Sequence, residues 1–139
     1  MIKLRDAVSI LIVEDDPGHA RLLEIAIRRL GIGNPLVKIA RGDEAMRYLG
    51  LKGHAPAVVQ EEPPLVLLDL NLPGNSGFEV LQALRAEEVS RHPVIIMTSS
   101  DDANDRRRCE ESGCDDYLIK PPEEDELVAS LSRLGLIVV

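Results

Sequence analysis

The chain alternates between short unbroken apolar runs and longer stretches in which apolar residues recur at helical spacing. The runs are Val8-Ser9-Ile10-Leu11-Ile12-Val13, Leu36-Val37-Lys38-Ile39-Ala40, Leu65-Val66-Leu67-Leu68, Pro93-Val94-Ile95-Ile96-Met97 and Tyr117-Leu118-Ile119. Runs of this length, bounded by turn residues, read as strands, and those without alternation as strands buried on both faces. Lys38 breaks the second run into an alternation, which suits a sheet edge. Between the runs, Ala20, Leu23, Ile27 and Leu30 share one helical face, as do Phe78, Leu81 and Leu84, and Leu127, Val128, Leu131 and Leu134. A short helix carries Ala45, Met46 and Leu49, and a polar one spans about Asp102 to Ser112. Regular alternation of strand and helix predicts right-handed crossovers and an α/β fold with a doubly wound parallel sheet.

Local signals mark where the helices begin and end. Asp16-Pro17 combines an N-cap acceptor with a proline suited to the first helical position. Asp43 is expected to cap the short second helix, and Ser76-Gly77-Phe78-Glu79 has the spacing of a capping box. Glu123 to Glu126 place acids at the start of the last helix, where the macrodipole favours them. Gly31, Gly113 and Gly135 stop helices. The Arg106-Arg107-Arg108 run with Glu110 and Glu111 reads as a solvated face of paired charges, with partner docking as the alternative. Residues 50–64 form a loop longer than the usual connection, holding His54, Ala57-Val58-Val59 and Pro63-Pro64, and read equally as a partner surface or a tolerated insertion. Leu136-Ile137-Val138-Val139 is an apolar tail, which reads as an exposed contact surface or as a segment folded back on its own domain.

Composition narrows the class. A chain of 139 residues is expected to form a single domain, 1–139. A net charge of −8 argues against a nucleic-acid binder. No apolar run reaches the ~20 residues of a membrane span, and no secretory leader is recognisable, so no membrane association and a cytoplasmic location are expected. Cys109 and Cys114 are read as reduced thiols.

The chemistry gathers where the strands end. Glu14 and Asp15 follow the first strand, Asp69 the third, Thr98 the fourth and Lys120 the fifth. In an open parallel sheet these C-terminal ends face the ligand crevice. Clustered carboxylates repel and stay ionised only with a cation among them, and hard oxygen donors suit Mg2+. Lys120 adds an ammonium and Thr98 a hydroxyl. A cation, an ammonium and a hydroxyl around one carboxylate can hold three phosphoryl oxygens. Asp69 is then a nucleophile that forms an acyl phosphate by in-line transfer. Each residue alone has a duller reading, as a cap, a turn or an exposed lysine; their joint occurrence at successive strand ends does not.

These motifs resemble the response-regulator receiver domains of two-component signalling, over about Val8 to Leu134. The resemblance rests on Ile12-Val13-Glu14-Asp15-Asp16, Leu67-Leu68-Asp69-Leu70-Asn71-Leu72-Pro73, Met97-Thr98-Ser99 and Tyr117-Leu118-Ile119-Lys120-Pro121. It implies a flavodoxin-like five-stranded sheet, order 2-1-3-4-5, with five helices. It further implies that Asp69 accepts phosphate from a sensor histidine kinase. Asp15 and Asp69 would bind Mg2+, Glu14 through a water and Asn71 through its backbone carbonyl. Thr98 and Lys120 would hold phosphoryl oxygens, and Thr98 and Tyr117 would act as the switch. The Lys120–Pro121 bond would be cis, and Asn71 and Ser100 would stand where the family tunes dephosphorylation. Such a domain is no enzyme beyond assisting its own phosphorylation and dephosphorylation. No output domain is expected to follow, which would imply onward phosphotransfer or binding. The long loop, the Leu70-Asn71-Leu72-Pro73 wording and the tail are similar to stand-alone regulators paired with bacterial phytochrome kinases, implying a bacteriophytochrome partner and a homodimer.

The chain departs from the family pattern at Asn75-Ser76-Gly77, where Ser76 still caps, at Pro122 after Lys-Pro, and at Glu14, which keeps a carboxylate where Asp is commonest. A phosphohydrolase with an aspartyl-phosphate intermediate would want a second Asp at position 71, which is Asn. A flavin or nucleotide binder would want a phosphate loop where Glu14-Asp15-Asp16 repels phosphate. An interaction module that never phosphorylates has no need of the complete set.

Overall fold

The computed structural model describes residues 2–56, 62–87 and 92–138. Five strands, β1 (Ile10–Val13), β2 (Leu36–Ile39), β3 (Leu65–Leu68), β4 (Val94–Thr98) and β5 (Asp116–Ile119), form one sheet of order β2-β1-β3-β4-β5. Every neighbouring pair is parallel. Helices α1 (Pro17–Arg29), α2 (Gly42–Tyr48), α3 (Gly77–Ala86), α4 (Ala103–Glu111) and α5 (Glu124–Arg133) alternate with the strands. The expected flavodoxin-like architecture is present.

Alternating strand residues feed two cores. Ile10, Ile12, Leu65, Leu67, Ile95 and Met97 pack with α1 and α5 on one face. Leu11, Val13, Val66, Leu68, Val94 and Ile96 pack with α2, α3 and Cys109 of α4 on the other. That double burial is why β1, β3 and β4 read as unbroken apolar runs, whereas β2 at the edge keeps Lys38 exposed.

Most helix starts follow their local signals. Asp16 accepts the N–H groups of Gly18 and His19 at 2.8 and 3.0 Å. Ser76 and Glu79 form the reciprocal capping box, at 3.2 and 3.0 Å. The second helix departs from expectation: Arg41, not Asp43, occupies its N-cap without a side-chain bond, and Asp43 instead takes the Arg41 guanidinium at 3.0 Å. The cause is tertiary. Gly42 donates to Pro73 O at 3.0 Å, and a Cβ there would lie 1.8 Å from Asn75 O, so the helix starts where the chain meets the β3–α3 loop.

Of the two readings of the tail, the structure shows it folded back as far as Val138. Leu136 is 3% exposed and belongs to the α1–α5 core, and Ile137 forms an antiparallel bridge with Leu4. Only Val138, 44% exposed, stays open among its described residues; Val139 lies outside them. Ala57-Val58-Val59 of the long loop is likewise outside the described residues. No described helix is long and apolar enough to cross a membrane.

Candidate phosphoacceptor site

The strand order reverses direction between β1 and β3, and the site forms in the crevice above them. The ladder continues one residue past each strand. Asp69 N–H donates to Val13 O at 3.0 Å, which starts Glu14 and Asp69 side by side. On the other side Lys120 N–H donates to Thr98 O at 2.8 Å. The turn after Asp69 is tight: a Cβ on Gly77 would come within 2.1 Å of Asp69 O, so only glycine lets α3 begin there.

Glu14, Asp15 and Asp69 each bring a carboxylate oxygen into a group whose atoms all lie within 4.8 Å of one another. Glu14 and Asp69 are buried, while Asp15 is exposed at the mouth. Buried charges of one sign require a counter-charge. Lys120 supplies it, donating to Asp69 Oδ2 at 3.0 Å and also to Glu14 Oε1. Burial pushes the Glu14 carboxyl up, and the Lys120 hydrogen bond offsets this only in part. Burial works against the Lys120 charge, but its bonds to Glu14 and Asp69 win and hold its pKa above the ordinary lysine value. The Lys120–Pro121 bond is cis.

Of the remaining predicted residues, Asn71 is held against Asp69, whereas the side chains of Thr98 and Tyr117 bond to Ser100. Asn71 N–H lies 3.4 Å from Asp69 Oδ1, which keeps its backbone against the carboxylate while its side chain is exposed. Thr98 is fully buried at the end of β4, and its Oγ1 accepts Ser100 N–H at 3.3 Å. Tyr117 is buried too, with its hydroxyl donating to Ser100 O at 2.7 Å and Arg106 over its ring at 5.3 Å. Asp16 is taken up by the α1 cap rather than by the carboxylate group.

Sequence reasoning missed His19. Its Nδ1 lies 3.4 Å from Lys120 Nζ and 3.7 Å from Glu14 Oε1, so it closes the site on the α1 side. The only signal for it was its place in the first turn of α1, directly after the acidic loop. A cavity of about 200 Å³ runs from Asp69 and Lys120 between Leu22 and Leu23 of α1 and Pro121-Pro122. The donor set fits a small hard cation: carboxylate oxygens on three residues, one of them at the solvent edge. With a cation bound, the site would also present an ammonium and a hydroxyl to an incoming anion.

Comparison with known proteins points the same way. The profile of the family described as "Response regulator receiver domain" matches residues 10–132. The DNA-binding response regulator MtrA of Mycolicibacterium smegmatis is 41% identical over 86% of this chain, which spans 47% of that protein. The chain therefore covers about half the length of such curated relatives. Among solved structures, the bacteriophytochrome response regulator AtBRR is 32% identical with a TM-score of 0.79, covering 95% of each chain. The receiver domain of the sensor histidine kinase PA1611 from Pseudomonas aeruginosa PAO1, which carries magnesium in its active site cleft, is 31% identical with a TM-score of 0.72, covering 91% of this chain and 95% of that one.

Proposed function

Because the chain belongs to the response regulator receiver domain family, we propose that it takes a phosphoryl group from the phosphohistidine of a sensor histidine kinase onto Asp69. The observation that carries this is the setting of Asp69: buried at the end of β3, grouped with Glu14 and Asp15, and bonded to Lys120. An Asp69 carboxylate oxygen attacks phosphorus, the N–P bond breaks, and the imidazole leaves with the electron pair. Mg2+, held by Asp15, Asp69, the Asn71 carbonyl and, through a water, Glu14, would neutralise charge on the transferring group; the magnesium-bearing PA1611 receiver supports this choice. Lys120 exchanges a carboxylate for a phosphoryl oxygen. Thr98, freed from Ser100, donates its hydroxyl to another, and Tyr117 follows because its hydroxyl is tied to that same loop. Signalling then proceeds by the altered surface or by passing the phosphate on.

The partner reading is supported by likeness to AtBRR, a bacteriophytochrome response regulator. A cytoplasmic setting agrees with the free thiols Cys109 and Cys114, pushed up by burial to about 12 and about 11 and thus held as unreactive thiols. The homodimer stays part of the proposal, on a surface other than buried Leu136.

The test is intact-protein mass after incubation with acetyl phosphate, with and without Mg2+. One Mg2+-dependent gain of about 80 Da, absent in Asp69→Asn, is the expected result. Equal labelling of Asp69→Asn would overturn the assignment.

A further inference from the structure

A lysine ammonium has three N–H groups to give and nothing to accept with. Lys120 has three acceptors around it: Glu14 Oε1, Asp69 Oδ2 at 3.0 Å and His19 Nδ1 at 3.4 Å. Its side chain is only 13% exposed, so an N–H left without a partner is costly there. Two of the acceptors belong to the carboxylate group that could share a cation; His19 does not belong to it. His19 is the third residue of α1, and its backbone N–H is fixed on the Asp16 cap at 3.0 Å. Its ring stands half-exposed at the rim of the site, with Glu14 Oε1 farther off, at 3.7 Å. A proton on Nδ1 would oppose the ammonium, so the ring turns its lone pair to Lys120 and carries its proton on Nε2.

We propose that His19 is a positioning residue for Lys120: when a divalent cation enters, the imidazole takes the ammonium over from Glu14, and so lowers the Mg2+ concentration at which the site fills. This rests on the phosphoacceptor reading above, in which the cation draws on Glu14 and Asp69. Lys120 holds an oxygen of each, so the cation has to displace an ammonium that is itself buried. A shift toward α1 frees Glu14 Oε1 and leaves Lys120 beside Asp69 with an acceptor still in place. In the empty site the ammonium shares itself among three partners, and His19 holds it only at 3.4 Å. Once the cation draws Glu14 away, Nδ1 is the neighbour that replaces it. The bond thus contributes more with the cation bound than without, and only such a difference can change affinity.

The experiment is calorimetric titration of the full chain with Mg2+ at about pH 8, where an ordinary imidazole is neutral. It compares wild type, His19→Leu, His19→Asn, Lys120→Met and the Lys120→Met/His19→Leu double variant. His19→Leu is expected to bind Mg2+ about fivefold more weakly, the factor one net hydrogen bond supplies. His19→Asn carries an acceptor oxygen on the same branch as Nδ1 and should stay within about twofold of wild type. With Lys120 gone there is no ammonium to take over, so the double variant should match Lys120→Met. If His19→Leu fails to show a native circular dichroism spectrum, His19→Ala, which also lacks an acceptor, takes its place. Wild-type affinity in His19→Leu overturns the inference. So does an equal loss in His19→Asn, because an acceptor would then not be what matters. A fivefold loss that persists in the double variant overturns it as well, since His19 would then act on the cation without Lys120. A wild-type chain that binds no Mg2+ overturns the reading of the site instead, and this inference with it.

Discussion

On the proposed reading, Lys120 and a divalent cation would compete for the same carboxylates. The ammonium lies 3.0 Å from Asp69 Oδ2 and also contacts Glu14, two residues that would hold the metal directly or through water. Removing it should therefore have opposite effects on two steps. Lys120→Met is expected to bind Mg2+ about tenfold tighter, since one positive charge has left a part-buried group of anions. The same variant should take phosphate from acetyl phosphate more slowly, having lost a partner for a phosphoryl oxygen. Asp15→Ala should move the metal titration the other way, weakening it by about tenfold or more, while keeping the Lys120–Asp69 pair. Calorimetric titration with Mg2+ checks both. Unchanged affinity in Asp15→Ala would remove Asp15 from the site.

At the scale of elements, α5 is held on β5 by a half-buried acid whose charge depends on its neighbours. Asp116 accepts Ser130 Oγ at 2.6 Å, its own strand's Tyr117 N–H at 2.9 Å, and the Arg133 guanidinium. Burial alone would raise its pKa, but these bonds outweigh it and hold the carboxyl below the usual range. Since the folded value lies below the unfolded one, near 3.9, the stabilisation is fully present above that unfolded value. It is lost as pH falls through the lowered folded value. Asp116→Asn should therefore melt lower than wild type at neutral pH, with the gap closing in acid; a gap constant with pH would remove the charge from the account. The α3 start offers a local comparison. Ser76→Ala removes one cap bond and should cost about 1 kcal/mol in denaturant unfolding. Gly77→Ala drives a methyl into Asp69 O and should cost about 1–3 kcal/mol while also disturbing the phosphoacceptor loop. The first was readable from the sequence because a capping box is a three-residue spacing. Asp43 was misread as a cap because the start of α2 is decided by Gly42 against Asn75, a contact no local pattern announces.

Across the whole molecule, what the sequence showed depended on whether a position is ruled by periodicity or by a long-range partner. Strand ends are periodic features. Glu14, Asp15, Asp69, Thr98 and Lys120 could therefore be placed at one edge before any coordinates, and the structure brings Glu14, Asp15, Asp69 and Lys120 into one group. His19 lies on a helix among other polar residues, where spacing does not separate a site residue from a solvated one. The tail stayed open between two readings for a related reason: four apolar residues after a helix-stopping glycine carry no mark of whether they fold back or stand free. In the structure Leu136 to Val138 fold back. Arg5 N–H donates to Leu136 O at 3.2 Å, Val138 N–H donates to Lys3 O at 2.8 Å, and Leu136 fills the core beneath. Chain start and chain end are thus part of one unit, with a consequence for assembly. Leu136→Ala should destabilise the folded chain by about 2–5 kcal/mol, as other large-to-small core changes do. Because the contact is within one chain, that loss should be the same at protein concentrations about a hundredfold apart. A loss that grows on dilution would mean that Leu136 is shared between two copies. Val138→Asp, on the exposed side, gives the complementary reading: it should leave melting within about 0.5 kcal/mol of wild type, and a shift in sedimentation without a shift in stability would place the dimer contact at the tip of the tail.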